Sequence, residues 1–297
     1  MPFSTTPLND GNKIPQIAFG TGSVNKGKDM TDQVEQAIEA GFSHIDTAHY
    51  YANEYSVGNA IRESGLKRED IYITTKFFSG ISIEDSAQKS LEELGTSYLD
   101  LYLVHFPEVL GDDVARSWAK FEKIKADGIA RSIGVSNHYV KDLQKLLENA
   151  KVVPAVNQIA FHPYNYETNK PTLELCAKHG IVVEGFSPLT SITKFPGGPV
   201  DKPVQAAADR LGITPAQVLL AWVKSKGVVI VTTSSKRERL DEYMAVGDLP
   251  ELLPEEIAAI EEAGAQGPPS TLLQLDKKRI LPLAGLSAIA LFLRYAL

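Results

Sequence analysis

The sequence predicts a single (β/α)8 (TIM) barrel, in which a closed ring of eight parallel strands is surrounded by helices. Short β-rich runs alternate with helical patterns along the chain, and eight such runs can be counted. No linker or break in composition divides the 297 residues into two units. Barrels of this kind often run to this length as one domain. An open doubly wound sheet is the alternative fold that is compatible with this alternation of strands and helices.

The predicted elements follow one another in a regular order. A short segment, residues 3–15, is expected to form a hairpin over the bottom of the barrel. The eight predicted strands are residues 17–20, 43–47, 71–76, 99–105, 131–137, 155–161, 181–187 and 228–233. Helices are predicted between them, among others over residues 32–40, 82–95, 114–127 and 168–179, and after Thr214, where Thr-Pro is typical of a helix start.

Composition and charge narrow the class of protein. The formal net charge of −7 disfavours nucleic acid as a partner, because an acidic surface repels phosphate backbones. The N-terminus lacks the basic and apolar pattern of a secretory signal. The one cysteine, Cys176, cannot form an internal disulfide and fits a reducing compartment, so a cytoplasmic protein is expected. Helical apolar spacing favours a buried packing role for Cys176 over a reactive thiol.

Polar residues close three consecutive predicted strands. Asp46 ends the second strand, and Tyr51 follows it closely; Lys76 ends the third strand and His105 the fourth. Because active sites of such barrels lie at the carboxyl ends of the strands, these four side chains are expected to meet at one mouth. Any one of them alone would more simply be a surface or core residue. Their occurrence on successive strands favours a functional site.

The four residues fit carbonyl reduction by hydride. The developing alkoxide needs a proton, and a phenol can supply it if a neighbouring ammonium lowers its pKa from about 10. Lys76 would lower the pKa of Tyr51, Asp46 would hold Lys76, and His105 would orient the carbonyl oxygen. One His with one Asp makes a poor metal site, so no metal is expected. A Schiff-base aldolase using Lys76 as its nucleophile is an alternative on the same barrel.

Several motifs resemble those of the aldo-keto reductases over roughly residues 8–265. GFSHIDTAHYYANEYSVGNAI resembles the family signature around its catalytic Asp and Tyr, while TTKFF and LYLVHFP resemble the segments that hold its Lys and His. The resemblance implies that Asp46, Tyr51, Lys76 and His105 form the catalytic tetrad, with Tyr51 as general acid. It also implies a monomer that reduces small aldehydes or ketones with NADPH. A cofactor-binding regulatory subunit with little turnover is the other function open on this fold.

The resemblance also implies a cofactor site across the barrel mouth. GTGSVN lacks the third glycine of a dinucleotide fingerprint, so a Rossmann unit is rejected. Thr21 is expected near the nicotinamide ribose, and the end of EGFSPL beside the ring, where Phe186 would stack in place of the more usual tyrosine. The cofactor residues implied near the nicotinamide are Thr21, Ser136, Asn137, Gln158, Phe186, Ser187 and Leu189.

The segment VTTSSKRERL is predicted to hold the 2′-phosphate of NADPH at a strand-to-helix turn. Thr233, Ser234, Ser235 and Arg239 are the residues implied; the neighbouring Lys236 and Arg237 are left open as surface charges. Many family members carry Pro-Lys-Ser at the start of this segment. Its Thr-Thr-Ser-Ser version resembles a fungal branch that includes reductases of α-keto amides and conjugated polyketones. Because the usual lysine is missing, NADH remains a weaker alternative cofactor.

Two further features concern the mouth of the barrel, namely its aromatic residues and the C-terminal tail. Phe77, Phe78 and Phe106 suggest an aromatic lining for the mouth. The chain is divided into the barrel, residues 1–265, and a tail, residues 266–297, whose run 280–293 carries no charge and has basic residues on both sides. A spanning helix needs about 20 apolar residues, so the run is short. The tail is predicted either to pack over the pocket or to associate with a membrane.

Overall fold

The fold is a closed barrel with one N-terminal hairpin. The computed structural model describes residues 3–269, and within them eight parallel strands close in the order β10-β3-β4-β5-β6-β7-β8-β9. The predicted barrel is therefore confirmed and the open sheet is wrong. The strands are β1 (Thr5–Pro7), β2 (Lys13–Pro15), β3 (Ile17–Gly20), β4 (His44–Asp46), β5 (Tyr72–Phe77), β6 (Leu99–Val104), β7 (Ala130–Ser136), β8 (Val156–Ala160), β9 (Val182–Phe186) and β10 (Val229–Thr232).

The helices of residues 3–269 surround the barrel. They are α1 (Thr31–Glu39), α2 (Glu54–Glu63), α3 (Ile83–Leu94), α4 (Val114–Ala126), α5 (Val140–Leu147), α6 (Tyr166–Lys178), α7 (Thr190–Thr193), α8 (Asp201–Leu211), α9 (Pro215–Ser225), α10 (Arg237–Ala245) and α11 (Pro254–Ala265). The outward side chains of the strands, such as Ile45, Ile73 and Val104, are fully buried in the large apolar layer between sheet and helices. This layer accounts for the near-continuous apolar character of the strands.

Side-chain caps fix several helix starts that the sequence predicts. The Ser82 hydroxyl accepts a hydrogen bond from the Asp85 amide at 3.0 Å, and α3 stops at Gly95, whose φ of 64° suits glycine. Thr214 and Gln217 cap the start of α9 reciprocally. The predicted start at residue 168 is wrong, because α6 begins two residues earlier, at Tyr166. The helix starts so early because its N-cap, Asn165, is the last residue of the short 3-10 turn Pro163–Asn165, which leads directly into α6.

The N-terminal hairpin closes the lower end of the barrel, as predicted. Strands β1 and β2 pair antiparallel. Leu8 and Ile14 of the hairpin join inward residues of the strands in a second apolar cluster, separate from the outer layer. The strand residues of this cluster are Leu101, Leu103, Ala155, Val156 and Val229. Water is thereby excluded from the amino-terminal half of the barrel.

Cys176 lies in α6 and is fully buried against the barrel. Burial raises the pKa of its thiol to about 11, with the Asn157 amide acting weakly in the opposite sense. A protonated, inaccessible thiol supports the packing role expected from the sequence rather than a reactive one.

Membrane association is one of the two roles predicted for the tail. Among residues 3–269, no helix is both long and apolar enough to cross a bilayer. The run 280–293, on which the membrane alternative depends, lies outside the described residues, as does most of the predicted tail.

Candidate active site

The barrel brings the four predicted catalytic side chains to its carboxyl-terminal mouth. Asp46 is the last residue of β4 and Lys76 lies near the end of β5, while His105 directly follows β6. Tyr51 ends the short 3-10 turn His49–Tyr51, which leads from β4 into α2. All four are at least nine-tenths buried.

A buried ion pair forms the centre of the site. Lys76 Nζ donates to Asp46 Oδ1 at 2.6 Å and to the Thr47 carbonyl oxygen at 2.9 Å. Burial is the largest single effect and lowers the pKa of Lys76, but Asp46, Tyr51 and Glu184 together outweigh it and raise the pKa overall. Lys76 is therefore an ammonium at neutral pH. A charged lysine is a poor nucleophile, which argues against the Schiff-base aldolase.

Tyr51 lies next to this ammonium. Lys76 Nζ is 5.3 Å from the centroid of the Tyr51 ring. Burial raises the pKa of Tyr51, the charge of Lys76 lowers it, and the net result is a pKa above the ordinary value. The expectation that the ammonium would bring the pKa of Tyr51 below 10 is therefore wrong for the protein alone, because desolvation of the phenolate exceeds the attraction. Tyr51 carries its proton throughout the neutral range.

His105 is a neutral imidazole in an aromatic setting. Burial, and then the charge of Lys76, lower its pKa to about 3. Its ring is 5.5 Å from that of Tyr51 and stacks on Phe106 at 4.5 Å. Phe78 lies 6.1 Å away, edge to face. A neutral imidazole has one N–H to donate to a carbonyl oxygen.

The predicted aromatic lining needs one correction. Phe77 points away from the mouth and packs on Phe121 of α4 at 6.2 Å, because successive side chains of a strand face opposite sides. Tyr50, which the sequence reasoning missed, takes its place beside Phe78 at 4.5 Å and His105 at 6.0 Å. The ammonium of Lys26 lies 3.5 Å above the Tyr50 ring. The signal for Tyr50 was its place in the same tight turn as Tyr51.

Three residues implied for the nicotinamide lie side by side, Ser136 and Asn137 at the end of β7 and Gln158 within the neighbouring β8. The Ser136 hydroxyl donates to the Gln158 carbonyl oxygen at 2.9 Å, and the Asn137 amide donates to the His105 carbonyl oxygen at 3.0 Å. The Gln158 amide donates to Asp46 Oδ2 at 2.8 Å. The implied cofactor residues therefore share a hydrogen-bond network with the Asp46–Lys76 pair.

Backbone strain is concentrated at this mouth. Within residues 3–269, three non-glycine residues have φ between 50° and 60°, namely Ala52 (51°), Asn137 (59°) and Ser187 (57°). Ala52 follows Tyr51, and Asn137 and Ser187 are implied cofactor residues that directly follow β7 and β9. Left-handed backbone at such residues costs free energy and tends to occur at functional sites.

Thr21 is turned inward more than expected. Its hydroxyl donates to Thr47 Oγ1 at 3.0 Å and approaches Asn53 Oδ1 at 3.3 Å, and the side chain is fully buried. Its amide donates to the Asp46 carbonyl oxygen at 2.9 Å. Thr21 thus links the loop after β3 to the turn that carries Tyr51. Thr47 and Asn53 were not recognised in the sequence.

A cavity of about 510 Å³ lies between the segment after β9 and α10. Leu189, from the segment after β9, and Arg239, from α10, both line it. Thr233, Ser234 and Ser235 precede α10, and the Ser234 hydroxyl accepts from the Lys236 amide at 3.1 Å. One residue implied for the nicotinamide end, Leu189, and one implied for the 2′-phosphate end, Arg239, therefore line the same cavity.

Of the two basic residues left open as surface charges, Lys236 and Arg237, the second forms ion pairs. Arg237 contacts Glu39 at 3.0 Å and Asp241 at 2.9 Å. Its guanidinium is thus occupied between α1 and α10. Arg239, in contrast, lines the cavity. This arrangement favours Arg239 as the phosphate ligand and Arg237 as a surface charge.

Comparison with known proteins identifies the family. The sequence profile of the aldo/keto reductase family matches residues 16–265. The chain therefore belongs to this family, as the motifs around Tyr51, Lys76 and His105 suggested. The prediction of an oxidoreductase that uses a nicotinamide cofactor is confirmed with it.

Curated relatives are similar over most of the chain. The NAD/NADP-dependent indole-3-acetaldehyde reductase of Schizosaccharomyces pombe is 39% identical over 79% of this chain and 86% of its own length. The NADPH-dependent alpha-keto amide reductase of Saccharomyces cerevisiae is 36% identical over 89% of this chain and 92% of its own. The predicted similarity to fungal α-keto amide reductases is thus confirmed.

Solved structures agree with the fold. An aldo-keto reductase of Bombyx mori in complex with NADP has a TM-score of 0.80 and 32% identity, covering 87% of this chain and 92% of that one. An aldo/keto reductase of Brucella melitensis has a TM-score of 0.79 and 35% identity, covering 88% and 99%. The likeness extends across the barrel that positions the site.

Proposed function

We propose that this enzyme reduces aldehydes or ketones with NADPH and that Tyr51 is the general acid. The observation that supports this role most directly is the buried Asp46–Lys76 pair beside a protonated Tyr51. NADPH supplies a hydride to the carbonyl carbon. The protein has to supply the proton and to stabilise the charge on oxygen.

The residues at the mouth can both supply the proton and stabilise the charge on oxygen. The proton leaves the hydroxyl of Tyr51 for the carbonyl oxygen, and the phenolate that remains is stabilised by the ammonium of Lys76. Two of the three N–H groups of Lys76 are taken by Asp46 and the Thr47 carbonyl, which leaves one for Tyr51. His105, being neutral, donates an N–H to the same carbonyl oxygen and holds it in place.

The region around the mouth also fits the cofactor. Ser136, Asn137 and Gln158 present amide and hydroxyl groups suited to a carboxamide, and Phe186 ends β9 beside them. Arg239 supplies a cation to the cavity of about 510 Å³, as a 2′-phosphate requires. We propose NADPH as the preferred cofactor, with NADH as the weaker alternative, because one relative is named for both cofactors.

The aromatic side chains at the mouth support a substrate with an apolar group next to its carbonyl. Tyr50, Phe78 and Phe106 surround His105. We propose a small aldehyde, ketone or dicarbonyl of this kind, acted on by a cytoplasmic monomer. A panel of such carbonyls run in parallel with NADPH and NADH tests substrate and cofactor together. Tight NADPH binding without turnover of any member would instead support the regulatory subunit.

Tyr51→Phe tests the proton donor. Loss of the hydroxyl should reduce kcat by about 10²- to 10⁴-fold, since that is the usual contribution of a positioned general acid. NADPH affinity, measured by fluorescence quenching, should stay within about twofold. The control is Tyr50→Phe, which removes a hydroxyl from the neighbouring ring and should leave kcat nearly unchanged. An unaltered kcat in Tyr51→Phe would overturn the assignment.

A further inference from the structure

A second buried carboxyl group lies below the catalytic pair and has no part in the reaction described above. Glu184 is in the middle of β9, two residues before Phe186, and is completely buried. Its Oε2 accepts a hydrogen bond from the Gln158 amide at 3.1 Å. Its Oε1 is 3.9 Å from His44 Nε2 and is without a hydrogen-bond partner among residues 3–269. A buried carboxyl in such a place costs free energy, so a role should compensate for it.

Glu184 and Asp46 share one donor group. The Gln158 amide nitrogen donates to Asp46 Oδ2 at 2.8 Å and to Glu184 Oε2 at 3.1 Å. An amide nitrogen carries two hydrogens, so both are used. The orientation of the amide is thereby fixed, with its oxygen directed away from the two carboxyl groups. No donor among residues 3–269 contacts that oxygen, which leaves it to accept from the carboxamide of the cofactor.

The surroundings of Glu184 favour its neutral form. Burial, and then the negative charge of Asp46, raise its pKa to about 8, against the smaller opposing effects of Gln158 and Lys76. The other ionisable groups facing it offer no compensating charge. His44 is neutral, since burial lowers its pKa to about 3, and the pKa of the Tyr72 phenol is raised well above its usual value by burial. The ammonium of Lys76 thus balances the charge of the Asp46 carboxylate, and the carboxyl group of Glu184 keeps its proton.

We propose that Glu184 is a positioning residue, which holds the Gln158 amide so that Gln158 braces Asp46 and presents its oxygen to the nicotinamide carboxamide. The inference rests on the proposed cofactor site. It predicts that cofactor binding and the Asp46–Lys76 pair are coupled through one glutamine. The necessary feature of Glu184 is its acceptor oxygen and not a negative charge.

Two substitutions separate the acceptor from the charge. Glu184→Gln keeps an acceptor of the same shape, whereas Glu184→Leu removes it and leaves one Gln158 hydrogen unpaired. We expect NADPH dissociation constants, measured by fluorescence quenching, to rise about 5- to 10-fold in Glu184→Leu and to stay within about twofold in Glu184→Gln. Thermal melting of both variants controls for folding.

The pH profile gives a readout that a purely structural role would not move. In the wild type, NADPH affinity and kcat should change around pH 8, as Glu184 ionises beside Asp46 and the two negative charges repel. Glu184→Gln cannot ionise there and should lose this step, while any step belonging to Tyr51 at higher pH remains. A step near pH 8 that persists in Glu184→Gln would overturn the inference.

The outcomes also distinguish this inference from the proposed function. Wild-type protein that binds NADPH and reduces carbonyls, together with a Glu184→Leu variant of equal NADPH affinity, would contradict the positioning role alone. Equal weakening in Glu184→Gln and Glu184→Leu, with equally lowered melting temperatures, would reduce Glu184 to a packing residue. Wild-type protein without any affinity for NADPH would contradict the proposed function and this inference with it.

Discussion

The two halves of the barrel interior differ in polarity. The amino-terminal half holds aliphatic side chains such as Leu101 and Val229, sealed below by Leu8 and Ile14 of the hairpin. The carboxyl-terminal half holds the ammonium of Lys76, the carboxylate of Asp46 and the imidazole of His105, all nearly inaccessible to water. Apolar burial in the lower half stabilises the fold, whereas the upper half retains groups that are costly to bury. The comparison assigns stability to one end and chemistry to the other.

The largest effect is expected from removing the buried cation. Lys76→Met leaves Asp46 without its ammonium and Tyr51 without the charge that stabilises its phenolate. We expect kcat to fall by about 10²- to 10⁴-fold and the free energy of unfolding to fall by about 3–5 kcal/mol. Steady-state kinetics and urea unfolding measure the two losses.

A double variant sharpens that result. Asp46→Asn combined with Lys76→Met removes both charges, so most of the stability lost in Lys76→Met should return, while activity should not. Recovery of activity together with stability would mean that the pair is structural, and the contrast between the two halves would fail.

The converse effect is expected in the apolar half. Leu101→Ala opens a cavity among side chains that cannot easily collapse, and should lower the free energy of unfolding by about 2–5 kcal/mol. The kcat of the folded enzyme should stay within about twofold, because Leu101 lies two residues below the layer of Leu103 and four before His105 on β6. A kcat loss comparable to that of Lys76→Met would show that the halves are not separable.

The sequence predicted the apolar half and the strand ends well because both follow from local patterns. Predicted strand bounds differ from the observed ones by at most one residue, since the apolar runs are short and turn residues such as Pro154, Gly180 and Gly227 directly precede several of them. Asp46, Lys76 and His105 were found because a polar residue closing a strand must lie at the mouth.

The upper half also depends on long-range contacts, which a sequence pattern does not contain. Glu184 stood within a recognised motif, yet its hydrogen bond to Gln158 and its proximity to Asp46 arise only when β9 and β8 meet β4 across the barrel. The net pKa of Tyr51 likewise depends on burial, which exceeded the effect of the neighbouring charge. Whether residues 266–297 pack on the pocket or a membrane stays a prediction.

A smaller effect is expected at the rim, where the cofactor site leaves the barrel. Arg239→Ala should weaken NADPH binding about tenfold or more, because a charge-assisted hydrogen bond to phosphate is lost, and should leave NADH binding unchanged. Arg237→Ala is the matched control, since Arg237 pairs with Glu39 and Asp241. Both dissociation constants are measured for each variant. Equal effects of the two substitutions on NADPH would contradict the assignment of Arg239.

The last effect is a pH dependence of stability that originates in two buried histidines, of which His105 lies at the mouth. Burial holds the pKa values of His44 and His105 at about 3 in the folded protein, whereas unfolded histidine titrates near 6.5. Below pH 6.5 the unfolded chain therefore binds protons that the folded chain does not. Stability is complete above pH 6.5 and declines as the pH falls towards 3, by up to about 1.4 kcal/mol per pH unit for each histidine.

Substitution of one buried histidine should reduce that slope. His105→Gln keeps a polar side chain that does not titrate, so urea unfolding between pH 4 and pH 6.5 should show a shallower decline than in the wild type. His179→Gln, at the partly exposed end of α6, should leave the slope nearly as it is. Because Leu101 and its neighbours do not titrate, a shallower slope in His105→Gln locates acid sensitivity in the polar half. An unchanged slope would mean that acid acts elsewhere, and that burying the imidazole of His105 at the mouth has no cost in stability at low pH.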